Sequence, residues 1–521
     1  MRTAHVLCSS AVYFLALATP LLATERSFRV DGVQEASIAD IHRAMEAGQL
    51  TAAALVQLYL DRIEAYDKNG PYINAIITIN PRALERAAEL DRQFAESGFV
   101  GPLHGIPFIV KDNYDTHDLP TTNGTLAMKD SYPPDDAYQV RKIREAGAIV
   151  LAKSNLAEFA MSGAFTVSSV LPGYTRNPYD PLRVTAGSSG GTAAAIAANF
   201  GTVGLGTDTG SSIRGPASHQ SLVGFRTTMG LTSRDGIVPL SLSRDVGGPL
   251  ARSVKDAVAV LQVIAGYDPA DPVTKAAESN VAESYAAFLD EGGLDGAKIG
   301  AVRQMFPEDD TDPEVLAAMN QALEDMRNAG ATIIDPVRIP ALEEIQESFK
   351  RNAGRLKFDY NNYLASLGPD APYKSLAEII ETDDYHPFLE SRLARASEIE
   401  GPPEENPDYL HNVEVAERLR GIVLKAMDDA GVDALVYPTF RYPPRLIGDL
   451  NTPDGANSRT LSPPTGFPAF AVPIGFSYGE LPAGLQFLGR PFSEPTLIKL
   501  SYAYEQTTKH RRPPKTTPPL R

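Results

Sequence analysis

Cysteine is nearly absent: Cys8 is the sole one in 521 residues, and it lies among the first twenty. The rest of the chain can therefore form no disulfide and hold no thiolate metal site. Basic residues are in deficit too, 48 Lys and Arg against 65 Asp and Glu, for a formal charge of −17. Both signs are scattered, and nucleic-acid affinity needs clustered Lys and Arg for phosphate contacts, so the composition argues against a DNA or RNA partner. No histidine pair has zinc-hydrolase spacing, and no Gly-Lys-Ser/Thr follows a glycine loop. Neither a catalytic metal nor a bound nucleotide is expected. Apolar runs near the ~20 residues of a membrane-spanning helix are missing beyond the N terminus.

The N terminus itself differs. Met1-Arg2 precedes the apolar stretch Ala11-Val12-Tyr13-Phe14-Leu15-Ala16-Leu17-Ala18, followed by small residues up to Ala23. This reads as a secretory signal peptide over residues 1–23. Ala16-Leu17-Ala18 offers a small-x-small cleavage pattern, and Leu21-Leu22-Ala23 a poorer one, so cleavage after residue 18 or 23 stays open. An uncleaved anchor is disfavoured because Ser, Thr and Pro interrupt the run. The expectation is an exported protein, periplasmic or secreted, with no stable membrane span after cleavage.

What is present suits an ordinary globular protein, with 43% apolar and 22% charged residues. Ser37 and Thr51 read as caps of two opening helices, the second with an apolar stripe at Leu55, Leu58, Tyr59 and Ile63. Asn80-Pro81 predicts a cap and first-turn proline for a helix ending near Gly98. Phe108-Ile109-Val110 and Ile149-Val150-Leu151 are short and branched, hence buried strands, and each ends near a lysine. Between Thr185 and Pro216, glycines at 187, 190, 191, 201, 204, 206, 210 and 215 sit among serines, around an alanine-rich helix at 192–199. Such glycine density signals special backbone and close packing. Beyond residue 250 strand and helix alternate: Ile299–Val302, a helix from Asp312-Pro313 to about Asn328, Thr332–Ile334, and later Ala434–Tyr437. The acidic, proline-spotted region 369–407 reads as a peripheral cover and a candidate to lie over an active site. No repeat or linker divides the chain, which favours one large α/β domain over residues 24–521.

Gly187-Ser188-Ser189-Gly190-Gly191 formally fits the nucleophile elbow G-x-S-x-G with Ser189 at its centre, but no downstream histidine sits in a catalytic context. Serine then needs another base, and a lysine kept neutral by burial can take its proton. Lys111 and Lys153 are both candidates on burial alone.

Three blocks decide more. Gly101-Pro102-Leu103-His104-Gly105-Ile106-Pro107-Phe108-Ile109-Val110-Lys111-Asp112, the 187–191 block, and Gly206-Thr207-Asp208-Thr209-Gly210-Ser211-Ser212-Ile213-Arg214-Gly215-Pro216 together resemble the amidase signature family of serine hydrolases. Weaker similarity continues at 224–231, 245–252, 462–469 and 484–489. The resemblance implies an α/β fold with a mixed central sheet flanked by helices, no cofactor, and hydrolysis of a small-molecule or peptide amide through an acyl-enzyme. It assigns Ser212 as nucleophile, Ser188, behind a cis peptide bond, as proton relay, and Lys111 as base, with Lys153 in support. Backbone N–H groups of Thr209, Gly210, Ser211 and Ser212 would form the oxyanion hole, and Ser189, Asp208 and Arg214 would hold that loop. Two residues depart from the pattern: Ala186 and Ser211 stand where the family commonly has glycine. The rival readings are a histidine-dependent esterase using Ser189 and a catalytically silent binding protein on the same scaffold.

Overall fold

A computed structural model describes residues 33–350, 353–449 and 451–520. The expected signal peptide, with Cys8, lies outside the described residues. Among the latter, no helix is long and apolar enough to cross a membrane.

An eleven-stranded mixed sheet runs through the molecule. From one edge its order is Ile76–Ile79, Ile149–Ser154, Pro107–Lys111, Val203–Asp208, Val246–Ala251, Val223–Arg226, Ala469–Ser477, Leu481–Leu488, Ala434–Pro438, Lys298–Ala301 and Thr332–Ile334. Pro107–Lys111 is parallel to both its neighbours, the five pairings between Val203–Asp208 and Ala434–Pro438 are antiparallel, and the last two are parallel again. Phe225 and Phe470 face each other across one antiparallel pair, their rings stacked with centroids 3.7 Å apart. Helices flank the sheet in a single α/β domain, as the resemblance implied.

Local chemistry sets the helix starts. Ser37 and Asp40 form a reciprocal capping box at Ile38–Glu46, and the Thr51 side chain accepts from Ala54 N–H at Ala52–Tyr66. The third helix starts later than the sequence suggests, at Ala83. Asn80 does not cap it: its side chain donates to the Val150 carbonyl at 2.8 Å and accepts from Arg82 N–H at 2.9 Å, which holds a turn there instead.

The alanine-rich helix is Gly190–Ala197, two residues earlier than expected, and every residue in it is buried. It lies so close to the sheet that a Cβ at Gly204 would come within 2.5 Å of Thr192 Cγ2, and one at Gly191 would overlap the Asn155 carbonyl oxygen. Buried Arg62 closes the end of this helix, donating to the Ala198 and Asn199 carbonyls at 2.8 and 2.9 Å. The same guanidinium reaches the Thr517 and Pro518 carbonyls, each at 2.9 Å, so it pins the chain's C-terminal segment to the helix.

Region 369–407 contains two short helices, Leu376–Glu381 and Glu390–Ser397, which join Leu356–Ser366 around a second apolar cluster built on Tyr360, Leu364, Leu389 and Leu393. That cluster packs on Met128 and Phe159, and Arg392 donates to the Met161 carbonyl. It buttresses the 159–161 segment.

Candidate active site

Strand Pro107–Lys111 delivers Lys111 to its C-terminal end, wholly buried. Its Nζ donates to Ser188 Oγ at 2.8 Å and to Thr207 Oγ1 at 2.6 Å. Burial pulls the Lys111 pKa down to about 7, against the opposing pull of Asp245 and Asp208. A neutral amine keeps a lone pair that can take a proton from the Ser188 hydroxyl. Lys153 is buried as deeply but is differently met: it pairs with Asp112 at 2.9 Å and donates to the Tyr114 and Pro120 carbonyls at 2.8 and 3.0 Å. It braces the strand ends.

The Gly187–Ser188 peptide bond is cis. A Cβ at Gly187 would lie 2.5 Å from the Ser162 carbonyl oxygen and 2.6 Å from that of Phe165, so only glycine fits. Ala186 before it has φ 58°, the left-handed region that favours glycine, which accounts for the family's usual residue there. Ser189 N–H donates to the Ser212 carbonyl at 3.1 Å and so joins the two serine loops. The Ser189 hydroxyl is committed to the Thr207 backbone, donating to its carbonyl at 3.2 Å and accepting from its N–H at 3.3 Å. No hydrogen bond links Ser189 to a histidine among the described residues. His219, the nearest in sequence, is buried with its ring stacked 4.0 Å from that of Phe440, and burial lowers its pKa to about 3.

Strand Val203–Asp208 runs into the loop carrying Thr209, Gly210, Ser211 and Ser212, and helix Arg214–His219 follows. Buried Asp208 sets the loop's shape. It accepts from Ile213 N–H and Arg214 Nε at 3.1 Å, from Arg214 Nη2 at 3.1 Å and from Arg226 Nη1 at 3.3 Å. Burial alone would raise its pKa, yet Arg214 and Arg226 outweigh that and hold the carboxyl at about 2. Thr209 Oγ1 donates to buried Asp245 at 2.5 Å. The loop's carbonyls turn inward: Gly210 O accepts from Arg214, Ser211 O from Gly215 N–H and Ser212 O from Ser189 N–H. The N–H groups of Thr209, Gly210, Ser211 and Ser212 take no acceptor among the described residues. All four residues line a cavity of about 480 Å³, at whose wall Ser212 is 5% exposed. Four adjacent free donors beside a serine suit a developing oxyanion.

Ser211 fits through a local exchange. A Cβ at Gly163 would lie 2.9 Å from Ser211 Oγ, so the missing side chain at 163 makes room for the one at 211. The cavity's other walls come from Ala160, Met161 and Gly163, from the 240–244 segment, from Lys350, Ala353 and Gly354, and from helix Pro407–Ala430. Region 369–407 contributes none of the lining side chains and packs instead behind the wall formed by Ala160, Met161 and Gly163, where Arg392 donates to the Met161 carbonyl and Phe388 meets Phe165. Thr207, Asp245 and Arg226 are site residues that sequence reasoning missed. All three stand within the motif blocks, but nothing in the sequence says which neighbours they meet. Outside the site, His117, Asp118 and Asp136 have metal-ligand proximity, but Arg144 pairs with both carboxylates and Arg82 with Asp118.

Asp208→Asn would leave two buried guanidinium groups short of charge, so the expected cost is about 3 to 5 kcal/mol in urea unfolding. A change below about 1 kcal/mol would show that the pairing does not hold the loop.

Comparison with known proteins agrees with this architecture. A family model described as Amidase matches residues 54–498. A probable amidase of Arabidopsis thaliana is 34% identical, covering 93% of this chain and 92% of its own length. A glutamyl-tRNA(Gln) amidotransferase subunit of Carboxydothermus hydrogenoformans is 33% identical, covering 92% and 99%. Among solved structures, native peptide amidase from Stenotrophomonas maltophilia superposes with a TM-score of 0.83 at 37% identity, over 92% of this chain and 99% of its own. The peptide amidase PAM in complex with the competitive inhibitor chymostatin gives 0.80 at 37%, over 92% and 99%. With its fold and its match across nearly the whole described chain, this protein belongs to the amidase signature family and is an amide-hydrolysing hydrolase.

Proposed function

We propose that the protein is an exported amidase that cleaves a small-molecule or peptide amide through an acyl-enzyme on Ser212. One observation carries the reading: a buried lysine with a pKa near neutrality is hydrogen-bonded to Ser188, beside a serine loop with free backbone donors. Ser212 Oγ attacks the amide carbonyl carbon while its proton passes through Ser188 to Lys111 Nζ. The oxygen's charge develops against the 209–212 amides. As the C–N bond breaks, the proton returns to the leaving nitrogen, and water then releases the acid from the Ser212 ester. The likeness to peptide amidases favours this reading, and the export proposed here argues against membership of a tRNA-dependent amidotransferase complex.

A fluorophosphonate probe is expected to label Ser212, as read by peptide mass mapping, and Ser212→Ala or Lys111→Ala should lower amide turnover about a thousandfold or more. A Lys111→Ala enzyme with full activity, or an adduct on Ser189, would overturn the mechanism.

Lys111 must be neutral to accept a proton, so kcat/KM should climb as pH rises through about 7 and fall below it. A profile flat between about pH 6 and 9 would remove Lys111 as the base.

Export is tested by expressing the full sequence in a bacterium and sequencing the N terminus of the periplasmic or secreted protein. The mature chain should begin at Thr19 or Thr24, whereas cell-retained protein still carrying the leader refutes the assignment.

A further inference from the structure

Charges on the wall of the Ser212 cavity do not balance. Arg244, Lys350, Arg420 and Arg459 face it, against one acid, Glu417. Two of these cations are already paired. Arg420 donates to Glu417 at 2.5 Å and to the Thr465 carbonyl at 3.0 Å, and Arg459 pairs with Asp454. Arg244 has no such partner. Among the described residues no acid accepts from its guanidinium, which lies over the Phe349 ring at 5.4 Å. Burial lowers its pKa and no acidic neighbour pulls the other way. The Lys350 ammonium, exposed at the same cavity, is likewise without a carboxylate among the described residues. Two unneutralised cations in one cavity run against a chain of net charge −17.

The backbone around Arg244 is fixed to the catalytic loop. Its carbonyl accepts from Arg226 Nη2 at 2.8 Å, and its N–H donates to Ser241 O at 2.9 Å. The next residue, Asp245, takes the Thr209 hydroxyl. A half-desolvated arginine, anchored by its backbone and stacked on one face, presents a planar donor fork at little further entropic cost.

We propose that Arg244 is a specificity-determining residue that binds a carboxylate carried by the substrate, so that this site prefers anionic amides to neutral ones. The inference rests on the amidase reading above and names the substrate class for it. A carboxylate matches the guanidinium fork in shape and charge, and the partial burial of Arg244 strengthens the pairing. Lys350 adds to the attraction at the exposed side, where salt screens it.

The carboxylate can sit on the acyl side or on the amine side of the scissile bond, and two matched pairs separate these. N-acetylglutamic acid α-amide against N-acetylmethionine amide reads the acyl side. N-butyrylglycine against N-propylbutyramide reads the amine side. In one arm the wild-type kcat/KM should favour the anionic member about 10-fold or more. Arg244→Met should bring that ratio close to one, chiefly by raising KM for the anionic member, and Arg244→Lys should recover part of it. A purely structural role would lower both members together and leave the ratio intact, which overturns the proposal. Ratios near one in both arms for a wild-type enzyme that labels at Ser212 and turns over neutral amides also overturn it, while the amidase reading stands. Absence of both labelling and turnover takes down the two together.

Discussion

Keeping a lysine amine away from water, so that it gives up its proton near neutrality, is the constraint on which the rest of this site depends. Desolvation disfavours the ammonium, but only while nothing nearby repays the lost hydration with opposite charge. Lys111 and Lys153 show the difference inside one fold. Both are wholly buried at the ends of adjacent parallel strands. Lys153 meets a carboxylate at 2.9 Å and backbone carbonyls, which suit a cation, whereas Lys111 meets two hydroxyls, which solvate an amine without favouring its charge. Close packing in this part of the fold depends on absent side chains: a Cβ at Gly187, Gly191 or Gly204 would come within 2.5 Å of a neighbouring segment.

Asp208 lies near enough to oppose Lys111's neutrality, so its charge must be engaged elsewhere. Arg214 and Arg226 take it up in a fully buried cluster. Such ion pairs add little net stability compared with apolar packing, because desolvating three charges costs about what their attraction returns. Their contribution here is geometric. Arg214 also donates to Gln486 at 2.6 Å and to the Gly210 carbonyl at 3.0 Å, so the strand Leu481–Leu488 and the 209–212 loop share one guanidinium. With the loop's carbonyls engaged in this way, its N–H groups are left without an acceptor among the described residues, at the cavity wall. Donors already aimed before the reaction need no reorganisation as charge develops.

Much of this is legible in the sequence wherever the signal is local. Ser37 and Thr51 cap helices because their side chains reach N–H groups three residues on, and the branched runs at 108–110 and 149–151 are strands because they are short and buried on both faces. The failures share one physical cause. Asn80 reads as a cap, but its amide is claimed by Val150 on a neighbouring strand. Burial alone does not separate Lys111 from Lys153, since the separating partners, Thr207 and Asp112, depend on which strands pair and in what register. The motif resemblance supplies that missing long-range information for the loops at 187–191 and 206–216, and for Ala186 it flags a position whose φ is positive.

Substrate recognition is the least legible part, and helix Pro407–Ala430 shows why. Its buried stripe, Val415, Leu419, Val423, Ala426 and Met427, has helical spacing and packs on the core. A second stripe, Tyr409, Asn412, Ala416 and Arg420, repeats every three to four residues on another side and lines the cavity. From sequence, such a mixed polar face is indistinguishable from one meant for bulk water. It becomes a binding wall only because the loop carrying Ser212, some two hundred residues earlier in the chain, is brought opposite it by the sheet. Catalytic groups need tight local packing and leave glycines as a trace, whereas a cavity wall needs only exposed side chains in the right place and leaves none.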